Sequence, residues 1–187
     1  MIQSPEKKLT LEEFLKLPET KPACEYINGE SIQKPMPQGK HSKLQGKLVS
    51  VINNLVEDRR IALAFPELRC NFAGRSIVPD VTVFTWARIP LDENGDIANV
   101  FNSYPNWTIE ILSPEQNQNK VTEKILHCLN NGSQLCWLID PSDRSVLIYP
   151  SGKQPQLLRE EPEILPVPDF VSELQITIGQ LFGWLKL

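Results

Sequence analysis

Apolar residues along this chain change their spacing several times, and each change marks an element. Between residues 40 and 59, Leu44, Leu48, Val51, Ile52, Leu55 and Val56 recur every three or four positions, while Lys43, Lys47, Asn54 and Asp58 fill the other side. That spacing predicts an amphipathic helix. Residues 116–131 predict a second, with Val121, Ile125, Cys128 and Leu129 on its buried face and Asn131-Gly132 as a left-handed cap. Elsewhere the runs are short and rich in β-branched and aromatic residues. They predict strands over 61–65, 67–72, 78–84, 107–112, 135–140 and 145–149, with turns at Ala73-Gly74 and Pro141-Ser142-Asp143-Arg144. Residues 107–112 and 135–140 are almost continuously apolar, as in strands covered on both faces.

The two ends are more local in character. Thr10-Leu11-Glu12-Glu13 reads as a capping box opening a short helix through residue 17, which Pro18 stops. Residues 24–27 and 30–33 flank Asn28-Gly29, the dipeptide that tolerates positive φ at both positions of a tight turn, so an antiparallel hairpin is expected. The Pro-rich residues 154–168 predict a meandering edge segment, and 178–187 a closing helix with Leu181, Phe182 and Leu185 on one face. The expected fold is α/β, an α+β mixed sheet flanked by helices. It forms one domain over 1–187, with 1–35 as an N-terminal helix and hairpin and 154–187 as a C-terminal edge segment and helix.

Composition narrows the class. Cys24, Cys70, Cys128 and Cys136 are scattered, without the paired spacing of structural zinc. No apolar run approaches the ~20 residues of a membrane span, and Met1 leads into the polar Gln3-Ser4-Pro5-Glu6-Lys7-Lys8, so no membrane association and a cytoplasmic location are expected. The net charge of −4 is unevenly spread: residues 34–88 hold nine Lys/Arg against four Asp/Glu, and the remainder ten against nineteen. The basic segment surrounds Asp80, as a polyanion site would need.

Asp80 opens one predicted strand and Glu110 lies inside another. An ionised carboxylate in an apolar strand is costly unless it is paired or metal-bound. Two adjacent strands would bring these carboxylates together as hard oxygen ligands for Mg²⁺ or Mn²⁺, and such an ion can activate water and polarise a phosphodiester.

Several stretches, in this order, carry a resemblance: Cys24-Glu25-Tyr26-Ile27-Asn28-Gly29-Glu30, His41 at the start of the first long helix, Pro79-Asp80, Ile109-Glu110-Ile111-Leu112-Ser113-Pro114, and the run from Gly132 through Trp137-Leu138-Ile139-Asp140-Pro141. Over most of its length the chain resembles the PD-(D/E)XK nuclease superfamily and, more closely, the Uma-type restriction endonucleases. The resemblance implies a restriction-endonuclease-like fold and Mg²⁺-dependent DNA endonuclease activity, with Asp80 and Glu110 as metal ligands and Glu25 as a further acidic residue. The superfamily's lysine two positions after the Glu would fall at Leu112. The resemblance implies a migrated lysine from the following helix, which offers Lys120 and Lys124. At 100° per residue Lys124 lies nearer the buried face, so it is favoured; both are otherwise ordinary solvated helix residues. His41, Lys43 and Arg75 are the candidates for contacting substrate phosphate.

The expected partner is DNA. A homodimer is also expected, because cutting both strands of a duplex needs two sites. The main rival is a catalytically inactive nucleic-acid-binding or regulatory protein that retains the fold, favoured by Leu112 and the acidic net charge. A small-molecule α/β enzyme ranks last, since no Gly-rich phosphate loop or nucleophile elbow follows any strand.

Overall fold

The computed structural model describes residues 8–114 and 116–187; the first seven residues of the expected N-terminal segment lie outside the described residues. After α1 (Leu11–Leu15), the chain forms β1 (Cys24–Ile27) and β2 (Glu30–Gln33), then the long α2 (Gly39–Val56). Next come β3 (Ala62–Pro66), β4 (Cys70–Phe72), β5 (Arg75–Ile77), β6 (Val81–Thr85) and β7 (Trp107–Ile111). Then α3 (Gln118–Asn130), β8 (Leu135–Asp140), β9 (Ser145–Pro150), β10 (Gln156–Leu158) and α4 (Ile178–Gly183) complete the order.

The larger sheet runs β10-β9-β8-β7-β6-β3, and the smaller one β2-β1-β5-β4. Only β7 and β8 pair in parallel in the larger sheet, and α3 is the crossover that such a connection requires. The large sheet is covered on both faces. Leu44, Leu48 and Ile52 of α2, with Leu181 and Phe182 of α4, pack on Trp107, Ile109, Trp137 and Ile139. Val121, Ile125 and Cys128 of α3 pack on the opposite face with Cys136, Leu138, Phe84 and Phe101. Strict alternation along β7 therefore turns Ile109 and Ile111 toward α2 and Glu110 toward α3.

The two tight turns form as their residues require. Asn28 and Gly29 have φ of 55° and 87°, and Ala73 and Gly74 of 46° and 75°. Past α3, Gly132 has φ of 116°, and a Cβ there would meet the Tyr104 ring at 2.5 Å, so no other residue fits without displacing Tyr104.

Several expected elements prove shorter. The strand expected over 67–72 is reduced to Cys70–Phe72, and that over 78–84 breaks: Val78, Pro79 and Asp80 form the crossing between the small sheet and the large one. Proline has no N–H to give a ladder, which suits it to a crossing. The closing helix ends at Gly183 rather than 187, and the helix expected through 17 ends at Leu15. Both open with the reciprocal capping box, Thr10 with Glu13 and Thr177 with Gln180, the second of which the sequence reading did not identify. Within the expected edge segment, β10 pairs antiparallel with β9.

Candidate active site

The crossing at Val78-Pro79-Asp80 delivers Asp80 to the edge of β6 beside Glu110. Val81 pairs with Ile109 across the antiparallel β6–β7 ladder, so the next step along it sets Asp80 opposite Glu110. Both side chains are buried, with 2% and 1% of their residue surfaces exposed. Asp80 is held from four directions. Its Oδ1 accepts from Lys34 Nζ at 2.7 Å, and its Oδ2 accepts from the Ile111 amide at 2.7 Å. His41 Nε2 lies 3.1 Å from Oδ2. One helical turn further along α2, Gln45 Nε2 donates to the Asp80 carbonyl at 2.8 Å. Burial works to raise the Asp80 carboxyl. The Lys34 charge, the His41 hydrogen bond and charge, and the charge of Lys124 outweigh it and hold this carboxyl well below the usual range.

Glu110 stands in a different environment. Burial, the largest influence, pushes its carboxyl up to about 8; Lys124 opposes that shift and the charge of Asp80 reinforces it. Its Oε1 is enclosed and makes no hydrogen bond, although Lys124 Nζ lies 3.0 Å away, outside hydrogen-bonding geometry. Lys124, itself buried, donates instead to Glu25 Oε1 at 2.9 Å. Burial works to lower the Lys124 ammonium, but Glu110 first, then Glu25 and Asp80, raise it, so it stays cationic. Glu25 Oε1 also accepts the Val78 amide at 2.7 Å, which ties the hairpin to the crossing that carries Asp80.

The opposite shifts of Asp80 and Glu110 have a measurable consequence. A buried acid with its pKa raised from 4.5 to about 8 binds more protons folded than unfolded between those values. Its contribution to stability is therefore complete below about 4.5 and is lost as pH rises through about 8. Glu110→Gln, neutral at every pH, is expected to lose this slope. Urea unfolding from pH 5 to 9 should show the variant gaining on the wild type as pH rises; parallel profiles would contradict the placement of Glu110.

Of the expected site residues, Asp80, Glu110, Glu25, Lys124 and His41 converge. Lys120 does not join them: it is exposed and lines the mouth of a cleft of ≈ 420 Å³ whose floor carries Glu25, Lys34 and Lys124. A second cleft, of ≈ 350 Å³, is bounded by Lys40, His41, Ser113 and Ser142. Lys43 lies exposed on α2. Arg75 donates instead to Asn28 Oδ1 at 3.0 Å and Glu123 Oε1 at 2.9 Å. It clamps the β1–β2 turn to α3, and so holds the elements bearing Glu25 and Lys124 together. The sequence reading missed Lys34 and Gln45. Gln45 could have been found four residues after His41 on the same helical face, whereas Lys34, between Gln33 and Pro35, carries no local signal.

Asp80 and Glu110 present the hard oxygen donors that Mg²⁺ prefers, and Glu110 Oε1 is a buried acceptor without a hydrogen-bond partner. Among the described residues no group of three or more His, Cys, Asp or Glu is arranged around a common point as a metal cluster. Asp80 and Glu110 alone would leave most positions on a Mg²⁺ or Mn²⁺ ion to water, as Mg²⁺ sites with one or two carboxylates do.

A mixed sheet with helices on both faces, and two carboxylates opposed at the ends of adjacent strands, defines a restriction-endonuclease-like fold. The chain belongs to the Uma2 family, whose model, described as "Putative restriction endonuclease", matches residues 11–179. It is similar to a solved structure from Anabaena variabilis described as a putative nuclease of DUF820, at 58% identity and a TM-score of 0.93, covering 95% of this chain and 99% of that one. No curated protein matches the chain. Among the described residues no helix is long and apolar enough to cross a membrane.

Proposed function

We propose that this chain is a Mg²⁺- or Mn²⁺-dependent endonuclease that hydrolyses DNA phosphodiesters, acting in the cytoplasm as one domain that pairs into a homodimer. The observation that carries this reading is Lys124. A buried ammonium between Glu110 and Glu25 supplies, from α3, the cation that Leu112 cannot provide. A non-catalytic protein could fill this space with apolar groups at little loss of stability, whereas a lysine buried among three carboxylates carries a desolvation cost.

When bound by Asp80 and Glu110, the ion supplies a water of lowered pKa and a positive charge on the phosphate oxygens. The remaining work belongs to the chain. Lys124 stays protonated at its Nζ and aims positive charge at the phosphate oxygens where negative charge accumulates. Glu25 orients that ammonium and fixes the Val78 amide, so the crossing that holds Asp80 does not shift. His41 lines the second cleft and also reaches Asp80, a placement suited to contacting the phosphate that enters there.

The test is cleavage of a panel of duplex, branched and single-stranded DNA. Cutting is expected with Mg²⁺ or Mn²⁺ and should fall to background with EDTA. DNA binding that leaves every substrate intact with either metal would favour the binding module instead.

A further inference from the structure

Lys34 has no place in the scheme above, yet it makes the shortest charged contact to Asp80. It follows directly on β2, and its backbone amide donates to the Ala23 carbonyl at 2.9 Å, so the hairpin delivers it to the centre. Its Nζ lies 2.7 Å from Asp80 Oδ1 and 2.7 Å from the Val78 carbonyl, with the lysine 9% exposed. Of the two Asp80 oxygens, Oδ2 is already occupied by the Ile111 amide and His41. Oδ1 carries Lys34 alone among the described residues. The ammonium therefore takes the one oxygen of Asp80 that protein amide and imidazole groups leave for a cation.

We propose that Lys34 is an internal counter-ion that occupies the cation position on Asp80 Oδ1 in the metal-free protein and exchanges with the divalent ion. The inference rests on the metal-site reading above, but not on DNA cleavage. The chemistry of lysine and one observation favour exchange over a permanent ion pair. A lysine ammonium is a point charge on a flexible stem, able to leave one acceptor for another without moving the backbone. Lys34 also lines the ≈ 420 Å³ cleft with Lys120, which leaves room for a displaced side chain. Buried beside Asp80 and Glu110, two further positive charges would be opposed by Lys34 if it stayed in place. Lys34 thus holds Asp80 oriented before metal arrives, at the expense of metal affinity. It is a positioning residue.

Two measurements test this on the full chain. In Mn²⁺ titrations followed by calorimetry and electron paramagnetic resonance, Lys34→Gln is expected to bind about tenfold more tightly than wild type, a coupling of ordinary size. Lys34→Arg, which keeps the charge, should bind like wild type. A merely structural lysine predicts equal or weaker binding in Lys34→Gln, and that result would overturn the proposal. Should Lys34→Gln fail to fold, wild-type protein carrying ¹⁵N-lysine decides the matter. Its Lys34 ammonium resonance should be protected from exchange without metal and lose that protection on adding Mg²⁺, while that of Lys124 persists. Unchanged Lys34 protection at saturating Mg²⁺, or no Mg²⁺ binding at all, overturns the exchange. Displacement of Lys34 without cleavage of any DNA would leave this inference standing and remove the nuclease reading. Cleavage with Lys34 still protected would do the reverse.

Discussion

Lys124→Met is expected to reduce DNA cleavage about 10²- to 10³-fold, the loss usual when one donor to a developing negative charge is removed. It should also lower stability by about 3–5 kcal/mol, because methionine fills the space but leaves Glu25 and Glu110 without the ammonium between them. Part of that cost is recoverable: Glu110 is pushed up to about 8 even beside Lys124, so at neutral pH protonation of the carboxyl offers relief that an obligatory ion would not have. The comparison is Lys120→Met, one turn earlier on the same helix. Lys120 is exposed and makes no ion pair with the carboxylates, so its stability should stay within about 0.5 kcal/mol of wild type. Cleavage by Lys120→Met should retain the wild-type rate constant at saturating DNA, with any change confined to DNA binding. Single-turnover cleavage and urea unfolding of both variants check this. Equal cleavage by Lys124→Met and wild type would remove Lys124 from the chemistry.

Asp80→Asn carries the second large effect and works through different partners. Asparagine keeps the shape but presents one NH₂ group, a donor, where the carboxylate had two acceptors. Lys34, His41 and the Ile111 amide all act on those acceptors, so whichever way the amide turns, one of these donors meets another donor. A loss of about 3–5 kcal/mol is expected, of the size seen when one partner of a buried ion pair is removed. Cleavage should fall about 10³-fold or more, since an ion's charge stabilisation amounts to several kcal/mol. Raising Mn²⁺ concentration should recover little of it. Thermal unfolding with metal titration measures both effects, and a variant that binds Mn²⁺ as wild type does would sink the assignment of Asp80 as a ligand.

The contrast between the two carboxylates shows how one fold prepares different acids within a single site. Asp80 receives an ammonium, a backbone amide and an imidazole, and is held ionised. Glu110, on the neighbouring strand, has burial as its dominant influence and an oxygen with no hydrogen bond. Opposed shifts on adjacent groups are a recurring mark of functional sites.

Much of this was legible in one dimension. The spacing of Leu44, Leu48, Ile52 and Val56 in α2, the apolar runs of β7 and β8, and Asn28-Gly29 are local patterns. Each element's preference is written in residues a few positions apart, and that is why they could be read. Asp80 and Glu110 stood out for the same reason: a carboxylate within an apolar strand is anomalous against its own neighbours. Lys124 was distinguishable from Lys120 because helical geometry turns three or four residues of spacing into a face. Shared order along the chain then pointed to the family.

What only the tertiary structure decided are the partnerships between residues far apart in sequence. Lys34 reaches Asp80 across 46 positions, and Lys124 reaches Glu25 across 99. Arg75 met Glu123 instead of the site, because β5 leads it to the outer side of α3. The later start of β6 at Val81 also needed three dimensions, since Val78-Pro79-Asp80 reads as the opening of a strand until β5 on one side and β6 on the other belong to different sheets. By itself the sequence determined most of the helices and strands and which carboxylates are out of place, while β5, at Arg75–Ile77, lay outside every expected strand and took shape only in the small sheet. The cation that neutralises each carboxylate was decided by packing, because a lysine's charge is the same everywhere in a sequence and becomes specific only when folding removes the water around it.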